Sequence, residues 1–485
     1  MILEKILCDM EYELIQGSTS VRIEKLEYDS RKVCKGDVFF ALPGVTSDGH
    51  DFISVAIKNG ASAIVVSESV NLNQEGITVI KVQHTRKAFA LCSSNYFNRA
   101  HEKLKIIGIT GTNGKTTSAF MIKRVLEEAG YKVGLLGTVA NYIGSERMEA
   151  SSTTPESFEL HKLFRKMVDE GCEYCVMEVS SHSLYWDKVF GINFKYGIFT
   201  NLTRDHLDFH KTFEEYYKAK FKLFTMSDTC IINGDDEYGR RLIDQISKSC
   251  KSVITYGIEG DYHYKAENYN IEPRKIDYTL VSYVDSYPMS ISISGKYNIY
   301  NSLEAIATCM EEKINVDVVK KAMGDVVVIG RCEIMQCTDR LGFHVILDYA
   351  HTPDGLEKIL KTCKEFTEGR LIGVFGCGGD RDKTKRPIMG KIGTDICDFC
   401  VITSDNPRTE EPMEIIRDIL KGVERSNYVV EENRREAIKK SIVEAKKGDV
   451  IVIAGKGHED YQVLKTGKIH FDEHEIVEEI VKELF

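Results

Sequence analysis

The segment GITGTNGKTT, Gly108 to Thr117, is the first place where residue types and spacing point to chemistry. It continues an apolar run that begins at Lys105 and leads into SAFMIKRVLEEAG, a helical pattern that stops at Gly130. A strand, a glycine-rich turn and a helix in this order are the setting of a phosphate-binding loop. The strict pattern wants a glycine where this chain has Ile109; its glycines fall at 108 and 111 instead. The physical content survives the displacement. Gly111 and Gly114 let the backbone N–H groups around Thr112 and Asn113 face phosphate oxygens. Lys115 can bridge phosphates as a point charge, and the hydroxyl of Thr116, followed by Thr117, can ligate magnesium. Such a loop serves motors, switches, transporter engines and ligases alike, so other residues must choose among them.

Other signals are weaker when read alone. DHLDFH sets His206 and His210 at helical i, i+4 spacing, which suits either a zinc pair or polar residues at a helix start. Lys220 in YYKAKFKLF falls on an amphipathic helix and reads as a solvated lysine. Asp405-Asn406-Pro407 reads as a surface turn. Two cysteine pairs, Cys172/Cys175 and Cys397/Cys400, have C-x-x-C spacing, but no histidines lie near enough to complete a four-ligand zinc site. They read as buried structural thiols.

These groups need a scaffold, and the pattern of apolar runs supplies one. The first hundred residues alternate DVFFALPG, FISVAIKNGA and SAIVVSE. The middle run is helical with Asn59-Gly60 as its stop, and the last is strand-like. A small α/β module is expected over residues 1–102. The βαβ unit at Lys105 opens a second region, 103–329, where CEYCVMEVSS, YGIFTNL and TCIINGD alternate with helical segments, predicting a mostly parallel sheet. A third α/β series, 330–485, holds HVILDYAH, RLIGVFGCGGD, FCVITSDNP and DVIVIAGKG. Each of its strands ends in glycines, histidines or acids, where open parallel sheets bind ligands.

The composition fits this layout. At ~150 residues per domain, 485 residues suggest about three domains. Apolar residues are 42%, charged residues 28% and the net charge is -10, which suits a globular chain and argues against broad binding to nucleic acid or anionic membranes. No run approaches the ~18 apolar residues of a membrane span. The acidic start, MILEKILCDMEYELIQ, lacks an export signal, and the 14 cysteines then fit reduced thiols in the cytoplasm.

Taken together, the motifs resemble the Mur ligases, the ATP-dependent amide ligases of bacterial cell-wall precursor synthesis. The resemblance rests on an ordered set along nearly the whole chain: YDSRKVCKGDVFFALPG, GITGTNGKTT, STTP, EVSSH, FTNLTRDHLDFH, AKFKLF, INGDD, GKYNIYN, LDYAHTPD, GCGGDRDKTKRP, SDNPRTEEP and GKGHE. It implies a three-domain architecture: a small N-terminal α/β domain, a central P-loop ATPase domain and a C-terminal Rossmann-like domain. It also implies a reaction, in which ATP phosphorylates a carboxylate and an amine attacks the acyl phosphate. The set looks most like the members that join meso-diaminopimelate to UDP-N-acetylmuramoyl-L-alanyl-D-glutamate. A lysine-adding ligase and, in a different class, a P-loop ATPase switch are the alternatives; folylpolyglutamate synthetase is a more distant relative.

By resemblance, Lys115, Glu178, His206 and Lys220 are catalytic. Thr116, Glu178, His206 and a carbamylated Lys220 are implied as magnesium ligands. Asn298 and Asn301 match adenine-side positions; Arg331, Asp348 and His351 match positions near the ribose and phosphates. Asp348 could instead cap the helix that begins near Pro353. Ser30, Thr153, Thr154 and Ser180 match contacts to the UDP-muramoyl-peptide. Trp186 and Lys188 stand where relatives commonly carry glutamine and arginine. For the incoming amino acid the implied contacts are Arg381, Asp405, Asn406, Pro407, Arg408, Gly455 and Glu459. The Arg408 fork suits the distal carboxylate that distinguishes diaminopimelate from lysine. A monomer is expected.

Overall fold

The computed structural model describes the chain apart from residues 45–46, 69, 71–74 and 250. Three large sheets follow one another along the described residues, with a two-stranded hairpin beside the third. The first has five strands in the spatial order Glu13–Gln16, Thr78–Lys81, Ala63–Val66, Val38–Phe40 and Leu26–Glu27, all parallel except the first pair. The helix Ile53–Lys58 ends where Gly60 takes a φ of +104°, at the Asn59-Gly60 stop.

The second sheet has eleven strands. Its parallel centre runs Ser252–Gly257, Ser227–Asn233, Phe194–Phe199, Lys105–Thr110, Tyr174–Glu178 and Val133–Leu136. These are the short apolar runs of the sequence. They are apolar throughout because helices cover both faces: Ile106, Ile107, Ile109, Val176, Met177 and Ile198 are all buried. Strands of mixed direction extend both edges: Asn141–Ile143 and Glu146–Met148 antiparallel at one, and at the other Tyr264–Glu272, parallel to Ser252–Gly257, with Lys275–Ser282 and Ser286–Ile291 antiparallel beyond it. Their mixed polar patterns gave no strand signal in the sequence.

The strand Lys105–Thr110 lies between Tyr174–Glu178 and Phe194–Phe199, and the chain steps to opposite sides of it in turn. The phosphate loop therefore leaves the sheet at a switch in strand order, where adjacent connections part and leave a crevice. In register, Glu178 pairs with Ile109 and Phe199 with Thr110, so the ends of three strands open at one level.

The third sheet runs Glu333–Ile334, His344–Asp348, Val450–Ala454, Leu371–Phe375, Phe399–Ile402 and Tyr428–Val430, parallel after the first pair. Four of its strands release the DYAHTPD, GKGHE, GCGGD and SDNPR loops from their carboxyl ends. A hairpin, Tyr461–Leu464 with Gly467–His470, folds back over this edge.

Candidate active site

The phosphate loop is shaped by close backbone approach. A Cβ on Gly111 would stand 1.8 Å from Thr200 Oγ1, and Gly114 has a φ of +93° with Asn301 Oδ1 where its Cβ would go. Only glycine fits either place. The helix Lys115–Glu128 then starts with its N-terminus toward a cavity of about 780 Å³, a natural seat for anions. Lys115 Nζ donates to the carbonyls of Gly111 (3.0 Å) and Thr112 (2.9 Å). Desolvation holds its pKa below the ordinary lysine value.

Around this loop gather groups from the neighbouring strand ends. Thr116 Oγ1 donates to Glu178 Oε1 at 3.0 Å, and Arg331 reaches Thr116 Oγ1 at 3.2 Å. Thr138 donates to both Glu178 oxygens, at 2.9 Å from its N–H and 3.0 Å from its hydroxyl, and meets Thr153 Oγ1 at 3.0 Å. Lys220 is 2% exposed, not a solvated lysine. Its Nζ donates to the Gly111 carbonyl at 2.8 Å, and burial, then repulsion from Lys115, pushes its pKa well below the ordinary value. Its protonated form is thus disfavoured under the phosphate loop.

The two histidines of DHLDFH part company. His206, with a φ of +53°, lines the cavity. His210 is buried, with Nε2 at 2.9 Å from Ser181 Oγ and its pKa pushed down to about 3 by desolvation. The i, i+4 zinc pair is therefore not formed. Thr116, Glu178, His206 and Lys220 all line one cavity, a hydroxyl, a carboxylate, an imidazole and an amine that becomes an anion on carbamylation. This donor set fits a hard divalent cation beside phosphate.

Of the two asparagines expected on the adenine side, Asn301 lines the cavity, whereas Asn298 is not in its lining. Asn301 Nδ2 donates to Asn298 Oδ1 at 2.7 Å, and Asn298 Nδ2 to the Ser294 carbonyl at 2.6 Å. Arg331, Asp348 and His351 line the same cavity. Asp348 does not cap the following helix; Thr352 does, accepting from Gly355 N–H at 3.1 Å. Asp348 instead accepts from the N–H groups of Cys332 (2.7 Å) and Ala350 (2.8 Å), tying the interdomain linker to the third sheet.

Two acids packed around the loop and its helix were missed in the sequence, Asp354 beside the cavity and Glu304 in its lining. Asp354, on the third domain, accepts from Asn113 Nδ2 of the phosphate loop at 2.6 Å, from Thr203 Oγ1 at 3.3 Å and from Lys358 Nζ at 2.9 Å. Glu304 is fully buried beneath the loop, hydrogen-bonded to the Ser118 and Tyr256 hydroxyls, and burial pushes its pKa up to about 8. Neither carries a sequence signal, since each is one acid in a helical run.

The carried-over muramoyl-peptide residues divide. Thr153 and Ser180 line the cavity. Thr154 braces it from behind, donating to the Glu178 carbonyl at 2.9 Å and accepting from Ser180 N–H at 3.0 Å. Ser30, Trp186 and Lys188 lie off the cavity. Ser30 is buried in the first module. Trp186 lies under the Arg86 guanidinium, 4.3 Å from the ring centroid, while Glu156 pairs with Lys188 (3.3 Å) and Arg86 (3.6 Å). These residues join the first module to the second.

The residues expected to contact the incoming amino acid, Arg381 apart, form a compact cluster on the third sheet. Asp405 and Asn406 are 6% and 4% exposed, so DNP is a buried turn and not a surface one. Gly455 has a φ of +128°, and a Cβ there would stand 2.5 Å from Asp405 Oδ2. Arg408, with a φ of +54°, donates from Nη1 to the carbonyls of Gly379 (2.9 Å) and Asn406 (3.3 Å), and Pro407 packs its carbonyl against Gly379. Arg381, two residues beyond Gly379, lines the phosphate-side cavity. One loop thus touches both places. Behind the cluster, the buried Arg434 pairs with Glu473 at 2.7 Å and donates to the carbonyls of Ser404 and Ala454.

Family models match the chain in three consecutive segments: the Mur ligase catalytic domain at residues 22–97, the Mur ligase middle domain at 109–309 and the Mur ligase glutamate ligase domain at 330–457. The chain belongs to the Mur ligase family. Within it, the chain is 53% identical to the UDP-N-acetylmuramoyl-L-alanyl-D-glutamate--2,6-diaminopimelate ligase of Clostridium tetani, over 100% of both chains. It is 55% identical to the ligase of the same name from Clostridium perfringens, over 99% of this chain and 100% of that one. A solved structure of a ligase of that name superposes with a TM-score of 0.71 at 28% identity, covering 100% of this chain and 99% of the other.

Proposed function

We propose that this protein joins meso-2,6-diaminopimelate to the D-glutamyl carboxylate of UDP-N-acetylmuramoyl-L-alanyl-D-glutamate, consuming ATP in peptidoglycan precursor synthesis. One observation carries the reading: the loop Gly378–Arg381 reaches the phosphate cavity through Arg381 and holds Arg408 of the DNPR turn through Gly379. An activated acyl group and an amino acid selected by its distal carboxylate are thereby brought to one cleft.

The chemistry follows from the charges. The phosphate-loop N–H groups and Lys115 balance the triphosphate, so that the substrate carboxylate can approach the γ-phosphorus. The carboxylate oxygen bonds to phosphorus as the bond to the ADP oxygen breaks. The amine then attacks the acyl carbon, and the tetrahedral intermediate collapses to an amide with phosphate leaving. Thr116, Glu178, His206 and Lys220 would hold Mg2+, with Lys220 as its carbamate. An ion held by these residues would supply positive charge to offset the negative charge that builds up during phosphoryl transfer. Burial beside Lys115 disfavours protonation of Lys220, which supports carbamylation, because only an unprotonated amine captures carbon dioxide.

Asn301, Arg331, Asp348 and His351 serve the nucleotide, with Asn298 acting through Asn301. Ser30, Thr153, Thr154, Ser180, Trp186 and Lys188 serve the UDP-substrate, with Trp186 and Lys188 also fastening the first module. Domain limits of 1–102, 103–329 and 330–485 accompany this reading, as do action in the cytoplasm and a monomeric enzyme. Among the described residues, no helix is long and apolar enough to cross a membrane.

The test supplies purified protein with ATP, Mg2+ and the UDP-dipeptide substrate, then compares diaminopimelate with L-lysine by product mass and phosphate release. Diaminopimelate should be strongly preferred, with phosphate release requiring both acceptor and amine. Equal use of lysine would point to the lysine-adding reading. Phosphate release without acceptor would point to an ATPase switch.

A further inference from the structure

Lys456, in GKGHE, has 0% exposure and carries no role in the reading above. A lysine buried so completely needs a partner for each of its three N–H donors. It has them: Asn406 Oδ1 at 2.9 Å, Glu459 Oε2 at 3.3 Å and the Tyr461 carbonyl at 2.6 Å. The three acceptors come from the DNPR turn, the GKGHE loop and the first strand of the hairpin over the sheet edge.

The consequence falls on two amino-acid contacts at once. Asn406 Oδ1 accepts from Lys456 and also from Val463 N–H at 2.9 Å. Its carboxamide therefore has one orientation, with Nδ2 donating to Glu459 Oε2 at 2.8 Å. Glu459 Oε2 is thus held by both an ammonium and an amide. Among the described residues no protein hydrogen bond engages Glu459 Oε1. The Asp405 backbone is pinned to the same hairpin, its carbonyl accepting from Gln462 Nε2 at 2.6 Å.

We propose that Lys456 is a positioning residue for the amino-acid substrate: it locks the Asn406 carboxamide and one oxygen of Glu459, so that the other Glu459 oxygen faces the incoming ammonium group. The inference rests on the diaminopimelate reading and adds a residue to it. Without Lys456, Asn406 Oδ1 keeps only Val463 N–H and Glu459 Oε2 keeps only Asn406 Nδ2, so both are held more loosely and the ammonium meets a less fixed carboxylate. Among the described residues, the hydrogen bonds of Lys456 all stay within the third domain, so the effect should stay with the amino acid.

The experiment measures steady-state kinetics of Lys456→Met with each substrate varied in turn, beside its thermal midpoint. The KM for diaminopimelate should rise about 10- to 100-fold, the size expected when hydrogen bonds to charged groups are lost. The KM values for ATP and the UDP-substrate and the kcat at saturating diaminopimelate should change little. Lys456→Arg should show the same split, because a planar fork cannot meet three acceptors set around a point. In the double variant Lys456→Met/Asn406→Leu, the two effects should fall well short of adding, since both act through one contact. A wild-type KM for diaminopimelate in a folded Lys456→Met protein would overturn the proposal. So would an equal rise in all three KM values, or full additivity. Failure of both single variants to fold would make Lys456 a structural brace and overturn it too. Should the wild-type enzyme couple no diaminopimelate at all, the proposed function fails instead, and that is read before any variant is made.

Discussion

The phosphate cavity and the amino-acid cluster hold many charges, but they hold them in opposite ways. In the cavity, Lys115 and Lys220 rest on loop carbonyls, and no acid forms an ion pair with either among the described residues. These groups wait for charge that arrives with the ligands. In the cluster, the buried Lys456 and Glu459 already face each other, as do Arg434 and Glu473. The first arrangement suits stabilising a transition state, where uncompensated donors gain most as negative charge develops. The second suits selection, where a stiff, internally neutral frame leaves a few chosen atoms for the ligand. Assembly differs too. The cavity is completed across domains, by Asp354 on Asn113 and Arg331 on Thr116. The cluster lies within the third domain.

The comparison is most exposed to Lys115→Ala. Removing a donor aimed at developing charge should lower kcat about 100- to 1,000-fold, read as phosphate release with all substrates present. A rise in ATP KM alone, with kcat kept, would make the cavity a selection device like the cluster. Asp354→Ala should have a middle-sized effect. Losing a net ~1 kcal/mol from a hydrogen bond raises the ATP KM about five-fold, with the diaminopimelate KM unmoved. Equal changes in both would mean the two regions are mechanically joined.

The smallest effect concerns pH. Burial keeps His101, His161 and His210 below the ordinary histidine pKa. As pH falls through about 6.5, the unfolded chain takes up protons that these folded rings refuse, so stability falls with pH there. His474 acts with the opposite sign. Its bonds to Asp472 and Glu333 raise it to about 10, so its stabilisation is full below about 6.5 and drains away as pH rises from there to about 10. With His182, His206, His351 and His458 also held low, the lowered rings outnumber the raised His470 and His474, and the thermal midpoint should drop by a few degrees between pH 7.5 and 5.5. His161→Phe should flatten the drop, because neither His161 ring nitrogen has a hydrogen-bond partner among the described residues. No flattening would place the acid sensitivity elsewhere, the cavity included.

Much of the first region was legible in the sequence. Its strand, glycine turn and helix are contiguous, and contiguous backbone geometry imposes local residue requirements such as Gly111 and Gly114. Glu178, His206 and Lys220 were found only through resemblance, because a lone lysine on a helix carries no mark of burial. Asp405 and Asn406 alone resembled a surface turn for the same reason. Asp354, Glu304, Thr138 and Lys456 were missed: their partners lie 241, 186, 40 and 50 residues away. The antiparallel edge strands were missed because one face meets solvent and the apolar runs are broken.

By itself the sequence determined the alternation of strands and helices, the phosphate loop and the identities of the loops that end the strands. These depend on side-chain periodicity and on φ angles that only certain residues adopt, and both are local. Tertiary structure alone decided which lysines lose their water, which acid meets which base, and which oxygen of Glu459 is left open. Desolvation and hydrogen-bond pairing depend on distance in space, and the spacing of residues along the chain does not encode it.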